Sequence, residues 1–216
     1  MDKKISKVIA YVKEELAHTE SGHDWFHIQR VYNNSLIIAK NEEGADMEVV
    51  TLIALLHDIA DSKFHGGDET VGPRKAKALL TTLAFNEDCI DHVIKGIENI
   101  SFGGGNHVQK FTSLELAIVQ DADRLDAIGA IGIARAFNYG GYKNNIIHDP
   151  SLAPKLGMTK EEYKAYRGTT INHFYEKLLR LKSMMNTEGG KKLAESRHRF
   201  MESLLAQFYA EWNAEE

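Results

Sequence analysis

The chain has 216 residues, of which 43% are hydrophobic, and a formal net charge of −5 at pH 7. A chain of this length and composition can bury a sizeable core, so we expect one domain spanning residues 1–216. The mild acidity argues against broad electrostatic capture of nucleic acid, although a local basic pocket for a phosphorylated small molecule would not show in the total.

The N-terminal segment interleaves charged and apolar residues at helical spacing and contains no continuous apolar core of the signal-peptide type. No apolar run approaches the roughly 20 residues needed to span a bilayer, and the single cysteine, Cys89, cannot form an internal disulfide. These features favour a cytoplasmic protein that does not contact a membrane.

A period near 3.6 residues dominates the chain, which contains only three prolines, so the sequence predicts an all-α fold. We predict helices at residues 4–18, 24–41, 47–60, 73–82, 86–99, 113–139, 160–185 and 190–212. The C-terminal helices, at about residues 160–212, are expected to pack on the core. The irregular stretches 61–72 and 102–109 either line a pocket or are solvated connectors.

The strongest chemical signal is the dyad His57-Asp58, which ends the apolar run at residues 51–56. An imidazole beside a carboxylate supplies two metal donors from one turn, and both are costly to desolvate unpaired. Asp61 follows His57 by four residues, so on a continuing helix it shares the same face. A carboxylate there suits a general acid or base acting on metal-activated water, and the start of a solvated loop is the alternative.

Two further segments can complete a metal site. His27 lies on the second helical pattern, and Asp121, Asp123 and Asp126 interrupt an apolar segment rich in alanine and glycine. Buried carboxylates in such a segment need a cation or hydrogen bonds. His27 alone is ordinarily explained as a satisfied core histidine, but its combination with the other segments favours ligation. Periodicity does not choose between Asp121 and Asp123.

The order of these residues resembles the HD-domain metal-dependent phosphohydrolases. The similarity rests on His27 in His-Ile-Gln-Arg-Val, on the dyad in Leu-Leu-His-Asp-Ile-Ala-Asp and on Asp-Ala-Asp-Arg-Leu-Asp, and it extends over nearly the whole chain. It implies a compact helical bundle with the metal site in its central helices. The last ligand in this family commonly precedes a basic residue, which favours Asp123, followed by Arg124. The implied metal ligands are His27, His57, Asp58 and Asp123.

The chain looks like a stand-alone bacterial subgroup of this family. That similarity implies hydrolysis of nucleoside triphosphates, deoxynucleotides included, to the monophosphate and pyrophosphate by a metal-activated water, with Asp61 handling a proton. One divalent ion is expected, with manganese favoured. Two imidazoles and two carboxylates suit Mn, Co, Ni, Fe or Zn, whereas Mg is less natural with imidazole ligands.

Phosphate charge needs donors beyond the metal, and Lys63 directly follows the catalytic stretch, so we assign it a catalytic and substrate-binding role. The other proposed substrate contacts are His23, Arg124, Asp126 and Tyr142, with Lys143 as a further option. His23 precedes His27 by one helical turn, Asp126 can bind a ribose, and Tyr142 can stack on a base or bind phosphate. The structural alternatives are that Lys63 is solvated, that the segment of His23 caps the second helix, and that Tyr142 anchors a loop.

Other activities, and a role without catalysis, stay open as alternatives. A nucleotide phosphomonoesterase and a cyclic-nucleotide phosphodiesterase belong to the same superfamily. Some members bind two metals through extra histidines, for which the candidates here are His65, His92, His107 and His148. The alternative of another class is a nucleotide-binding module without turnover, which has no chemical need for the complete donor set. The sequence leaves the oligomeric state open, a homodimer included.

Overall fold

A computed structural model describes residues 3–17, 24–60, 68–100, 109–159, 162 and 166–215. Within these ranges the fold is all-α, as predicted, and no β-strand occurs. The α-helices are α1 (Lys3–Glu15), α2 (Trp25–Ala39), α3 (Met47–Leu56), α4 (Val71–Thr82), α5 (Glu87–Glu98), α6 (Leu114–Asp126), α7 (Gly129–Tyr142), α8 (Thr170–Glu176) and α9 (Glu188–Asn213). A 3₁₀ helix, Leu178–Met184, lies between α8 and α9 in the chain.

The first of two compact units comprises the described residues up to 100 and residues 109–122. At its centre is α3, in which every residue from Val49 to Leu56 is buried. A helix that is apolar on all sides belongs in a core, and α3 contacts α1, α2 and α5. The Asp46 side chain begins this helix by accepting hydrogen bonds from the backbone N–H groups of Glu48 and Val49.

The second unit contains residues 123–159, 162 and 166–215 of the described chain. Its longest element, α9, contacts α7 and the 3₁₀ helix, and α8 contacts the same two elements. The fully buried Phe174 of α8 lies beside Phe137 of α7, with ring centroids 6.1 Å apart. Thr169 and Thr187 cap the N-termini of α8 and α9 through their side-chain oxygens. One domain over residues 1–216 stays a prediction.

Three predicted helices differ from the structure. The third ends at Leu56 rather than residue 60. The segment 113–139 forms two helices, because the chain turns before Gly129, which has φ +71°, a conformation that favours glycine. Residues 166–169 are not helical, and residues 170–184 form α8 and the 3₁₀ helix, so one helix over 160–185 was wrong. None of the described helices is both long and apolar enough to cross a membrane.

Candidate metal centre

Two imidazoles and one carboxylate converge within the described part of the chain. His27, His57 and Asp123 each offer one ligand atom, and these atoms all lie within 4.8 Å of one another. The two imidazole rings meet edge to face with centroids 5.4 Å apart. His27 is only 3% exposed. Such a group of nitrogen and oxygen donors is the arrangement from which a divalent metal site is built.

Each donor sits at the end of a helix. The Asp24 side chain caps α2 by accepting a hydrogen bond from the backbone N–H of His27, at 2.9 Å, so His27 lies in the first turn. His57 immediately follows the last residue of α3. Asp123 lies in the last turn of α6, which continues without interruption from residues 114–122 of the first unit.

The hydrogen bond of His57 fixes its tautomer. Nδ1 lies 2.9 Å from the backbone carbonyl oxygen of Ala54. Because a carbonyl oxygen only accepts, Nδ1 carries the proton, so in the neutral imidazole Nε2 keeps its lone pair. Nε2 is buried and forms no hydrogen bond in the described structure. A backbone carbonyl that holds the second nitrogen is the usual support of a metal-binding histidine, so the residues present fit a divalent ion.

The neighbouring carboxylates differ in their relation to this group. Asp123 belongs to it, whereas Asp121, which is fully buried, does not. Periodicity had left these two residues open as alternatives. Asp58, predicted as a ligand, is adjacent to His57 in the chain but is not part of the group of three. Its carboxylate remains a predicted fourth donor.

Comparison with known proteins identifies the family. A model of the HD domain matches residues 25–128. YpgQ of Bacillus subtilis is 38% identical over 208 residues, which cover 95% of this chain and 92% of YpgQ. The chain belongs to the HD domain family. This confirms the resemblance that the order of histidines and aspartates predicted.

Solved structures of related proteins are similar over nearly the whole length of this chain. An HD-superfamily hydrolase of Bacillus thuringiensis is 42% identical, with a TM-score of 0.78 over 98% of each chain. A protein of Lactobacillus plantarum is 38% identical, with a TM-score of 0.83 over 99% of each chain. YpgQ was solved in complex with ADP, and this structure is 34% identical, with a TM-score of 0.76 over 97% of this chain and 95% of that one.

Three predicted site residues of this HD chain, His23, Asp61 and Lys63, lie outside the described residues. A shared face for Asp61 and His57 requires a continuous helix between them. Because α3 ends at Leu56 and residues 57–60 form a turn and bend, helical spacing does not relate these two residues. A role for Asp61 therefore depends on the family resemblance alone.

The predicted substrate contacts in the second unit have partners of their own. Nη1 of Arg124 donates to the carbonyl oxygen of Met184 at 2.7 Å. Asp126 is 1% exposed, and its Oδ2 lies 2.6 Å from Nη1 of Arg135. This ion pair explains how a carboxylate is buried at that position. Tyr142 is 68% exposed, and Nζ of Lys143 lies 5.0 Å from the centre of its ring.

Two of the extra histidines considered as ligands of a second ion have other neighbours. Nε2 of His92 contacts Oγ of Ser113 at 2.9 Å and lies 3.3 Å from Oε2 of Glu115. Oε1 of Glu115 accepts a hydrogen bond from the backbone N–H of Asp46, so this group joins the starts of α3 and α6 within the first unit. His148 packs against aromatic rings of α9, the nearest being Trp212 at 4.8 Å. His65 and His107 lie outside the described residues.

Sequence reasoning missed Arg135 and Arg197. A buried Asp126 does signal that a cation is needed nearby, and Arg135 follows it by nine residues on the next helix. Arg197 donates to the carbonyl oxygen of Leu125 across 72 residues of sequence, and no local pattern announces such a contact.

Proposed function

We propose that this chain is a metal-dependent phosphohydrolase that cleaves nucleoside triphosphates, deoxynucleotides included, to the monophosphate and pyrophosphate. The observation that carries the proposal is the convergence of His27, His57 and Asp123 in a chain of the HD family. The complex of YpgQ with ADP supports a nucleotide as the ligand, because ADP presents the base, sugar and diphosphate that a triphosphate shares.

The donor set favours a transition metal. Imidazole nitrogen suits Mn, Fe, Co, Ni and Zn better than Mg, and we propose Mn²⁺ held by His27, His57 and Asp123, with Asp58 as the fourth ligand. A divalent ion supplies Lewis acidity there, which lowers the pKa of water and neutralises phosphate charge. The donated Nδ1–H of His57 keeps its ring oriented with Nε2 available as a donor.

The remaining proposed roles belong to the other predicted site residues. We propose that Asp61 accepts a proton from the attacking water and that Lys63 and His23 bind phosphate oxygens. Arg124 can contact phosphate only through N–H groups other than the one bound to Met184. We propose Asp126 as a ribose contact, and its Oδ2 also pairs with Arg135. The exposed ring of Tyr142 offers a face on which a base can stack.

The test is product analysis with a panel of ribo- and deoxyribonucleotides and Mn²⁺, Co²⁺, Ni²⁺, Zn²⁺ or Mg²⁺. We expect pyrophosphate from triphosphates, and its loss in Asp58→Ala and His57→Ala. A matched carboxylate control is Asp91→Ala, because Asp91 is 66% exposed and pairs with Lys95 on the surface of α5. Asp91→Ala should retain full activity.

Other products would contradict the proposal in defined ways. Phosphate released from monophosphates would identify a phosphomonoesterase, and cleavage of cyclic nucleotides a phosphodiesterase. Nucleotide binding measured by calorimetry, without any product across all metals, would identify a binding module.

A further inference from the structure

The last turn of α6, which carries Asp123, is held by two arginines from other helices. The final carbonyl groups of a helix have no partner within the helix and need donors from elsewhere. Nη1 of Arg197, from α9, donates to the carbonyl oxygen of Leu125 at 2.5 Å. Nη1 of Arg135, from α7, donates to the carbonyl oxygen of Asp126 at 3.3 Å. We call Arg135 and Arg197 the α6 clamp.

Arg197 of the α6 clamp packs closely against Gly129. A Cβ at Gly129 would lie 2.9 Å from Cβ and 3.4 Å from Cα of Arg197. Real Cβ atoms do not approach so closely, so α9 occupies the space that any other residue would need for its side chain. The stem of Arg197 therefore passes directly over the turn between α6 and α7.

Electrostatic interactions also stabilise this turn. The side chain of Asp126, which is 1% exposed, pairs with Arg135 at 2.6 Å. Burial lowers the pKa of Arg197, and the carboxylate of Asp126 opposes that shift. An arginine stays protonated nonetheless, and a cation at a helix C-terminus interacts favourably with the helix dipole.

We infer that Arg135 and Arg197 are positioning residues for Asp123: they hold the last turn of α6 so that this carboxylate stays within ligand distance of His27 and His57. Asp123 precedes Leu125 by two residues and Asp126 by three, so all three share one turn. Helix ends fray when they are not held, and metal–ligand distances tolerate deviations of only about 0.2 Å. The inference rests on the metal centre of the proposed function.

The test measures Mn²⁺ binding by titration calorimetry on the metal-stripped full-length chain. Arg197→Met removes the donors but keeps the aliphatic stem, and we expect Mn²⁺ affinity to fall roughly 10- to 100-fold, as for residues that orient metal ligands. Arg197→Lys keeps the charge and one donor and should recover part of the affinity. The control Arg199→Met removes a 70% exposed arginine from the same helix and should bind Mn²⁺ like the wild type.

A double-mutant cycle separates positioning from a general loss of stability. If the clamp acts through Asp123, Arg197→Met should add little to the affinity lost in Asp123→Asn. Additive losses, or unchanged Mn²⁺ affinity in Arg197→Met, would overturn the inference. If Arg197→Met does not fold, Arg197→Lys and Arg135→Met replace it, and wild-type affinity in a folded form of either has the same meaning.

The same data distinguish the failure of this inference from failure of the proposed function. If the wild-type chain binds no Mn²⁺, or if His57→Ala binds it equally well, the metal centre itself is wrong and the inference falls with it. If His57→Ala abolishes binding while the cycle is additive, the metal centre stands and only the clamp is wrong.

Discussion

Nη1 of Arg135 lies 2.6 Å from Oδ2 of Asp126, and this carboxylate is 1% exposed. Removal of Arg135 would take away a close cation from this buried carboxylate, which is more costly than loss of a surface pair. We expect Arg135→Met to lower the free energy of unfolding by about 3 kcal/mol, the lower end of the range for a broken buried pair, because Arg135 is 27% exposed.

Urea unfolding followed by circular dichroism measures this difference. The surface control is Arg199→Met, whose pairing distance to Glu195 is 3.9 Å and whose side chain is 70% exposed, so its midpoint should not move. Equal midpoints for Arg135→Met and the control would show that the ion pair does not stabilise the fold.

The sequence predicted His57 and Asp123 as candidate donors because both stand out locally. His57 follows residues 51–56, of which only Thr51 is polar, and an imidazole there is costly to bury unless its nitrogens have partners. Asp123 lies in a segment where carboxylates interrupt small and apolar residues. The predicted shared face of His57 and Asp61 assumed that α3 continues to residue 60, whereas α3 ends at Leu56. Helix ends are set by contacts that a periodic pattern does not contain.

The break between α6 and α7 was also hidden from local reasoning. The alanines and glycines between residues 127 and 132 are as compatible with one long, closely packed helix as with a break. Two of these glycines permit the turn between α6 and α7. Gly129 has φ +71°, and a Cβ at Gly132 would clash with the carbonyl oxygen of Ala127. The partner that covers the turn, Arg197, is 72 residues beyond Leu125 in the sequence. Only the folded chain brings them together.

Substitution of Gly129 tests the cost of filling this turn. Gly129→Ala must accept φ +71° and a Cβ 2.9 Å from Cβ of Arg197, whereas Gly157→Ala must accept φ +73° with no atom within 4 Å. We expect Gly157→Ala to cost about 1 kcal/mol, the conformational penalty alone. Gly129→Ala should cost about 1–3 kcal/mol more, from overpacking against Arg197.

Thermal and urea unfolding of both variants measure the difference. The comparison is internal, because both glycines have almost the same φ in the second unit and differ in what surrounds the new methyl group. The explanation would be wrong if the two variants lost the same stability.

His173 in α8 links stability to pH. Burial, with a smaller contribution from the charge of Lys177, lowers its pKa from 6.5 to about 3. Between these two pH values the unfolded chain binds a proton that the folded chain does not. The free energy of unfolding is therefore unaffected by this group above pH 6.5 and decreases as the pH falls toward 3. The slope for one proton approaches about 1.4 kcal/mol per pH unit.

The measurement is the free energy of unfolding from urea titrations at pH 7, 6, 5 and 4. In His173→Gln this proton is absent, so the variant should lose less stability than the wild type over that range, whatever its stability at pH 7. Lys177→Met removes the smaller cause of the lowered His173 pKa and should reduce the stability that is lost as the pH falls. Parallel curves for wild type and His173→Gln would contradict the assignment.

Cys89 on α5 should react slowly in the folded chain. Burial raises its pKa from 9.0 to about 11, with Glu48 and Asp46 adding to the shift. The thiolate is the reactive form, so a two-unit rise lowers its fraction at pH 8 roughly 100-fold relative to the unfolded chain. Labelling with a thiol reagent, with and without guanidinium, measures this ratio.

Glu48→Gln should accelerate labelling of Cys89 in the folded chain, whereas Glu87→Gln, an exposed change two residues from Cys89, should not. Equal rates in these two variants would mean that the Glu48 carboxylate does not hold the thiol protonated, and that burial alone protects it.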